Sequence, residues 1–209
     1  MTAVGVAAHP PSAVAGILSV VARPLDRHRT LITLDEWIAL PEDAEHRYEL
    51  QEGVLVVSPR PVRGHQLAAV RLSRQLDAQL PADFETVIDF EVVLQAEPPT
   101  TVRVPDLVVT RVGGPQERLA AADVALAVEV ISPGSRKLDL HLKPFEYADA
   151  GIPHYWVVDL DPPAPSITVY HLGAPGDGYV EAPAVAGELT TTVPFPLRIY
   201  IEALTAERG

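Results

Sequence analysis

Cysteine is missing from all 209 residues. Its absence excludes disulfides and thiolate metal sites, so any bound cation must be held by carboxylates, histidines, carbonyls and water. Such ligands suit Mg²⁺ or Mn²⁺ rather than structural zinc. Long apolar runs are missing too, none approaching the roughly 20 residues that span a bilayer, and the chain reads as a cytoplasmic protein with no membrane partner. The apolar stretch 13–22 has no positive residue before it, and the first arginine, Arg23, stands on its far side, the reverse of a secretory leader. There is no glycine-rich phosphate loop, since Gly113-Gly114 lacks the accompanying lysine, and no Gly-x-Ser-x-Gly elbow, which removes nucleotide-driven and serine-hydrolase chemistry. Positive charge is scarce: the formal net charge is −12. That excludes a general nucleic-acid coat protein, whose affinity comes from counterions released by Lys and Arg. An enzyme acting on nucleic acid would need a local basic strip or bound cations.

What is present points to one α/β domain. Residues 1–30 mix Ala, Val, Pro and Gly without a period and read as a mobile or loosely docked extension before a domain over 31–209. Thr33 and Glu36 form a capping-box pattern that opens a short helix closed by Pro41. Residues 47–58 read as a hairpin around Gln51-Glu52-Gly53. From Arg63 to Leu80 the period turns helical, with His65, Ala69, Leu72 and Leu76 on one face. Strands are expected over 86–94, 102–110, 124–131 and 154–159, a helix over 136–150 stopped by Gly151 and Pro153, and peripheral strands over 166–170, 178–182 and the tail to Ala203. No internal repeat is found. The order implies a mixed sheet with helices on its faces.

Two acidic residues stand where a core should be. Glu129 lies inside the apolar run 124–131, where an ionised carboxylate needs a cation, a donor network or an opening to water. Asp106 follows Pro105 between Val102-Arg-Val and Leu107-Val-Val, and a proline inside such a strand marks an edge, a start or a bulge. Carboxylates at the ends of adjacent strands can converge on one cation and leave room for water and phosphate. The plainer alternative pairs Asp106 with Arg103 or Arg111, and Glu129 with an arginine that reaches it. Lys143 is one of only two lysines among sixteen basic residues, and it shares a helical face with Asp139 and Tyr147 at i−4 and i+4. It suits a place beside an attacking water or a scissile phosphate, or an ordinary helix-face ion pair. His65 is either a satisfied core histidine or a member of the site, and Glu49 either an extra acidic ligand or an exposed strand residue.

Taken together, Tyr48-Glu-Leu-Gln-Glu-Gly, Ser58-Pro-Arg-Pro with His65, Val104-Pro-Asp-Leu-Val-Val, Val128-Glu-Val-Ile-Ser-Pro, Asp139-x-x-x-Lys143-x-x-x-Tyr147 and Ala148-x-x-Gly151-Ile-Pro-x-Tyr155-Trp-Val-Val-Asp resemble the Uma-two family of endonucleases over roughly residues 31–204. That family resembles the PD-(D/E)xK superfamily. The resemblance implies a restriction-endonuclease-like α/β fold, a mixed central sheet flanked by helices, with Asp106, Glu129 and the carbonyl of Val130 holding Mg²⁺ or Mn²⁺ for hydrolysis of phosphodiester bonds, most simply those of DNA. Glu49 would complete the acidic cluster. The superfamily's usual lysine falls two residues after the glutamate, where this chain has Ile131, so the resemblance implies that Lys143 replaces it from the next helix. Gly134 stands where the family tends to have serine. A homodimer is implied as well. A catalytically silent nuclease fold used for DNA docking or self-association is the alternative, which the acidic charge and the displaced lysine both permit.

Overall fold

The computed structural model describes residues 31–206 apart from 42, 44, 133 and 162; the extension expected over residues 1–30 lies outside them. Thr33 caps helix α1 (Leu34–Ile38). Its hydroxyl accepts from the Glu36 amide at 3.3 Å, and Glu36 accepts from the Thr33 amide at 2.9 Å, which completes the capping box. Trp37 on this helix packs with Leu50 and Val102 in a small core of its own. Strands β1 (His46–Gln51) and β2 (Val54–Pro59) form the expected hairpin. Glu52 and Gly53 turn it with φ of 46° and 75°, the left-handed pair that a tight hairpin requires. A Cβ on Gly53 would lie 2.5 Å from that of Leu31, so glycine is needed there for space as well.

Helix α2 (Arg63–Asp77) buries His65, Ala68, Ala69, Leu72 and Leu76 along one stripe. The chain then continues through β3 (Phe84–Ile88), β4 (Val92–Gln95), β5 (Thr101–Arg103), β6 (Leu107–Arg111), β7 (Leu119–Ala120) and β8 (Val124–Val130). After helix α3 (Lys143–Asp149) come β9 (His154–Asp159), β10 (Ser166–Leu172), β11 (Tyr179–Glu181), β12 (Val185–Ala186), β13 (Glu188–Thr191) and β14 (Leu197–Tyr200). Among the described residues, one sheet runs β2-β1-β5-β4-β7, a larger one β11-β10-β9-β8-β6-β3 with β12 beside β10, and β13 pairs with β14. Strand β8 is central and makes the large sheet mixed: it runs parallel to β9 and antiparallel to β6. No described helix is long and apolar enough to cross a membrane.

Two strands expected to be continuous are each divided between the sheets. The run 86–94 breaks at Asp89, which takes φ of 52°, so its halves become β3 of the large sheet and β4 of the other. The run 102–110 breaks at Val104-Pro105-Asp106, because Pro105 cannot donate to a ladder; its halves become β5 and β6. These crossings bring Asp89 and Asp106 to the junction of the two sheets, where the Asp89 amide donates to the Asp106 carbonyl at 3.3 Å.

The helix expected over 136–150 is also interrupted. Residues Leu138–Leu142 form a π turn, with the Lys143 amide donating to the Leu138 carbonyl. Pro144 has no N–H to give the Leu140 carbonyl, so the α-ladder cannot pass through unbroken.

The period of β8 decides what faces what. Leu126, Val128 and Val130 pack with α2, Trp156, Val158 and the C-terminal strands. Ala127, on the opposite face, packs with Tyr147, Ile152, Tyr155 and Val157. Glu129 shares its face with Ala127 and so looks toward α3.

Candidate active site

Glu129 is 2 % exposed, and two side chains of α3 meet it. Lys143 Nζ and the Tyr147 hydroxyl each donate to Oε1 at 2.8 Å. The arginine considered for Glu129 is therefore replaced by a lysine and a tyrosine. Asp139, one turn before Lys143, has Oδ1 3.1 Å from Nζ, and Glu49 Oε1 lies 3.7 Å from it. The face read in sequence through Asp139, Lys143 and Tyr147 is thus real and buried. Lys143 is no surface lysine, and Glu49 is no exposed strand residue. Below them Tyr147 packs on Tyr155 with ring centres 5.1 Å apart, and the Tyr155 hydroxyl donates to the Asp139 carbonyl at 2.8 Å, fixing the wide turn.

Asp106 pairs with neither Arg103 nor Arg111. Its Oδ1 accepts from Arg47 Nη1 at 2.7 Å, and Oδ2 accepts from the Val130 amide at 2.8 Å. His65 Nε2 lies 3.0 Å from the same Oδ2 and 2.7 Å from the Val130 carbonyl oxygen. In the register of β6 and β8, Leu107 faces Val128, so one step further sets Asp106 beside Glu129. Arg103 has another task. Fully buried, it gives Nε and Nη2 to the two oxygens of Glu146 at 2.7 Å each, and Nη1 to Glu49 at 3.0 Å. The other Glu49 oxygen accepts from the Val104 amide at 3.1 Å.

The charges follow from these contacts. Burial pushes the Glu129 carboxyl up to about 8, against the pull of Lys143. Burial also opposes the charge on Lys143, but Glu129, Glu49 and Asp139 outweigh it and hold the ammonium above its ordinary range. For Asp106 the burial penalty is overcome by His65 and Arg47, and its carboxyl falls well below the usual range. Glu49 is lowered in the same way by Lys143 and Arg103.

A cavity of about 480 Å³ opens onto Arg47, Glu49, His65, Asp106, Glu129, Val130, Asp139 and Lys143. Of the residues singled out in the sequence, all but Tyr147 therefore line one space, which also reaches Ser132, Gly134 and Ser135. A larger cleft of about 750 Å³ adjoins it and shares Arg47, Arg60 and Pro61. Sequence reasoning missed Arg47 and Arg103 as members of this cluster. Arg103 carried a usable signal, a charge between Val102 and Val104; Arg47 carried none beyond standing two residues before Glu49 on a strand.

Among the described residues, no group of three or more His, Asp and Glu side chains is set to ligate a metal as it stands. A magnesium-like cation does not require one, because it takes one or two carboxylates and completes its shell with water and phosphate. The donors present fit that pattern. Five carboxylates, Glu49, Asp106, Glu129, Asp139 and Glu146, face three permanent cations, Arg47, Arg103 and Lys143.

The fold is that of the restriction-endonuclease-like nucleases. A crystal structure from Anabaena variabilis ATCC 29413, described as "a putative nuclease belonging to DUF820", superposes with a TM-score of 0.63 at 19% identity, covering 83% of this chain and 97% of that one. No curated protein matches the chain. The Uma2 family, described as "Putative restriction endonuclease", matches over residues 34–203, which takes in both sheets and every residue of the cavity, and the chain belongs to that family.

Proposed function

We propose that this protein is a metal-dependent endonuclease that hydrolyses phosphodiester bonds of nucleic acid, with DNA as the substrate. The observation that carries the reading is the meeting of Asp106, Glu129, the Val130 backbone and Lys143 in one cavity of a family described as restriction endonucleases. Asp106, Glu129 and the Val130 carbonyl would hold Mg²⁺ or Mn²⁺, which when bound lowers the pKa of a water and supports negative charge on phosphate. Pro105 turns the chain so that the Asp106 carboxylate leaves the strand toward the cavity, and the Val130 amide fixes it there. Lys143 keeps its proton at Nζ and presents a fixed positive charge to an attacking water or to the developing charge of the phosphate. Glu49 and Asp139 hold that ammonium in place from two other sides. Arg47, Arg60 and Lys143 line the cavity, but Arg47 is paired with Asp106 and Asp89 and Lys143 with Glu129, Glu49 and Asp139, so the attraction for a phosphate chain would come chiefly from the bound cation.

The test is cleavage of supercoiled plasmid, single-stranded DNA and RNA with Mg²⁺ or Mn²⁺. Cutting of DNA is expected with either metal, with none after chelation and recovery when metal is restored. Lys143→Ala is expected to slow it by about 10²-fold or more, the range for a lost charge-stabilising group. Cutting that survives chelation would refute the metal requirement. Normal cutting by Lys143→Ala would remove the lysine from the mechanism. No cutting of any nucleic acid by protein that binds metal would leave the docking module as the reading.

A further inference from the structure

His65 is held in an unusual way for a core residue. Its side chain is 9 % exposed and stands at the start of the buried stripe of α2, yet Nδ1 finds no hydrogen-bond partner. A histidine kept for packing would ordinarily satisfy both ring nitrogens. Here the ring is oriented through Nε2 alone, which sits 2.7 Å from the Val130 carbonyl oxygen and 3.0 Å from Asp106 Oδ2. One N–H shared between those two acceptors accounts for the arrangement without metal. Both acceptors are among the three ligands proposed for the cation, so the ring nitrogen already occupies the ligand cluster. Neighbouring ligands around an octahedral cation with bonds of about 2.1 Å are separated by about 3 Å, close to both distances.

We infer that His65 is itself a ligand of this cation through Nε2, and that the centre consequently selects Mn²⁺ over Mg²⁺. The inference rests on the metal-dependent reading above and deepens it. An imidazole nitrogen adds affinity for first-row transition ions, least for Mn²⁺ at the foot of their order, and adds less still for magnesium, which prefers oxygen. Binding in this mode moves the ring proton to Nδ1, which is buried and without an acceptor in the metal-free chain; the ring also borders a second cavity of about 210 Å³ with Gln66 and Asp89. No other histidine lines either space, so an imidazole-nitrogen signal from a metal bound there has one source among the described side chains.

The decisive measurement is electron spin echo envelope modulation of Mn²⁺ bound to the wild-type protein. Modulation from a coordinated imidazole nitrogen is expected, and it should vanish in His65→Gln. Calorimetric titration should give Mn²⁺ an affinity at least tenfold above that of Mg²⁺, with the ratio collapsing toward one in His65→Gln. Mn²⁺ binding that Asp106→Asn abolishes but that shows no nitrogen modulation in the wild type would overturn the role of His65 and leave the carboxylate site standing. Mn²⁺ binding indifferent to Asp106→Asn would overturn both. Because the first readout is taken on the wild type, a folding defect in the variant cannot mask the answer.

Discussion

Replacing Glu129 by glutamine is expected to abolish metal-dependent cleavage and, at the same time, to make the metal-free protein more stable at pH 8. The loss follows from removing an anionic ligand: support of transition-state charge by a metal amounts to several kcal/mol, and about 4 kcal/mol corresponds to roughly 10³-fold in rate. The gain follows from proton linkage. Burial raises the Glu129 carboxyl to about 8 in the folded chain, against about 4.3 when unfolded. Between those values the folded state binds the extra proton, so its stability is greatest at the acid side and falls as pH rises toward 8. His65 is raised as well: burial lowers it, but Asp106 and the Val130 carbonyl more than reverse that. It acts in the same sense, its contribution being lost as pH climbs through the raised value. Asp106 and Glu49 are lowered, so what they contribute disappears only in acid, below this window. Glutamine keeps the shape of the protonated acid and cannot ionise. Wild-type melting temperature without metal should therefore decline between pH 5 and pH 8, by up to roughly 5 °C per pH unit for one proton, while Glu129→Gln stays flatter and melts higher at pH 8. Saturating Mn²⁺ should restore the wild type and leave the variant unchanged. A variant that cuts normally, or that melts below the wild type across the whole range, would show that Glu129 acts as an ion-pair partner only.

The residues that made this site legible are those that break a local pattern. Glu129 in an apolar strand and Asp106 after a proline are anomalies that any core would reject, and each proved to lie in the cavity. The Asp139–Lys143–Tyr147 face could be read because helical spacing is local. Arg47 was not legible, since an arginine at the start of a strand breaks no pattern and its partner is 59 residues away. Arg103 breaks the same rule as Glu129, but its nearness in sequence to Asp106 suggested the wrong partner. Strand lengths failed for one physical reason. Apolar residues continue across Asp89 and Pro105 because each half of the run packs in a sheet of its own, and periodicity does not register the change of sheet. The π turn was likewise hidden, although Pro144 stood in the expected helix.

Arg103→Met should be the most destabilising single substitution in this cluster, although Arg103 need never touch a substrate. Its side chain is 0 % exposed and neutralises two carboxylates at once, Glu146 by a paired contact and Glu49 by a single one. Deleting one member of such a buried group leaves uncompensated charge and costs about 3–5 kcal/mol. At roughly 2–4 °C per kcal/mol for a chain of this size, a fall in melting temperature of about 10 °C is expected. Cleavage should fall as well, because Glu49 is then free to draw Lys143 away from Glu129. Exchanging all three charges for apolar residues, with Glu49→Leu and Glu146→Leu added to Arg103→Met, removes the unpaired carboxylates, and well-packed apolar replacements of buried ion groups are often neutral or stabilising. The triple variant should therefore recover most of the lost melting temperature yet remain poor in cleavage, since it no longer carries Glu49 beside Lys143. Recovery of both properties would place the whole Arg103 network on the structural side and leave Asp106, Glu129 and Lys143 sufficient for the chemistry. A single variant that melts within about 2 °C of the wild type would mean that water reaches the two glutamates, and that the network stabilises far less than its burial implies.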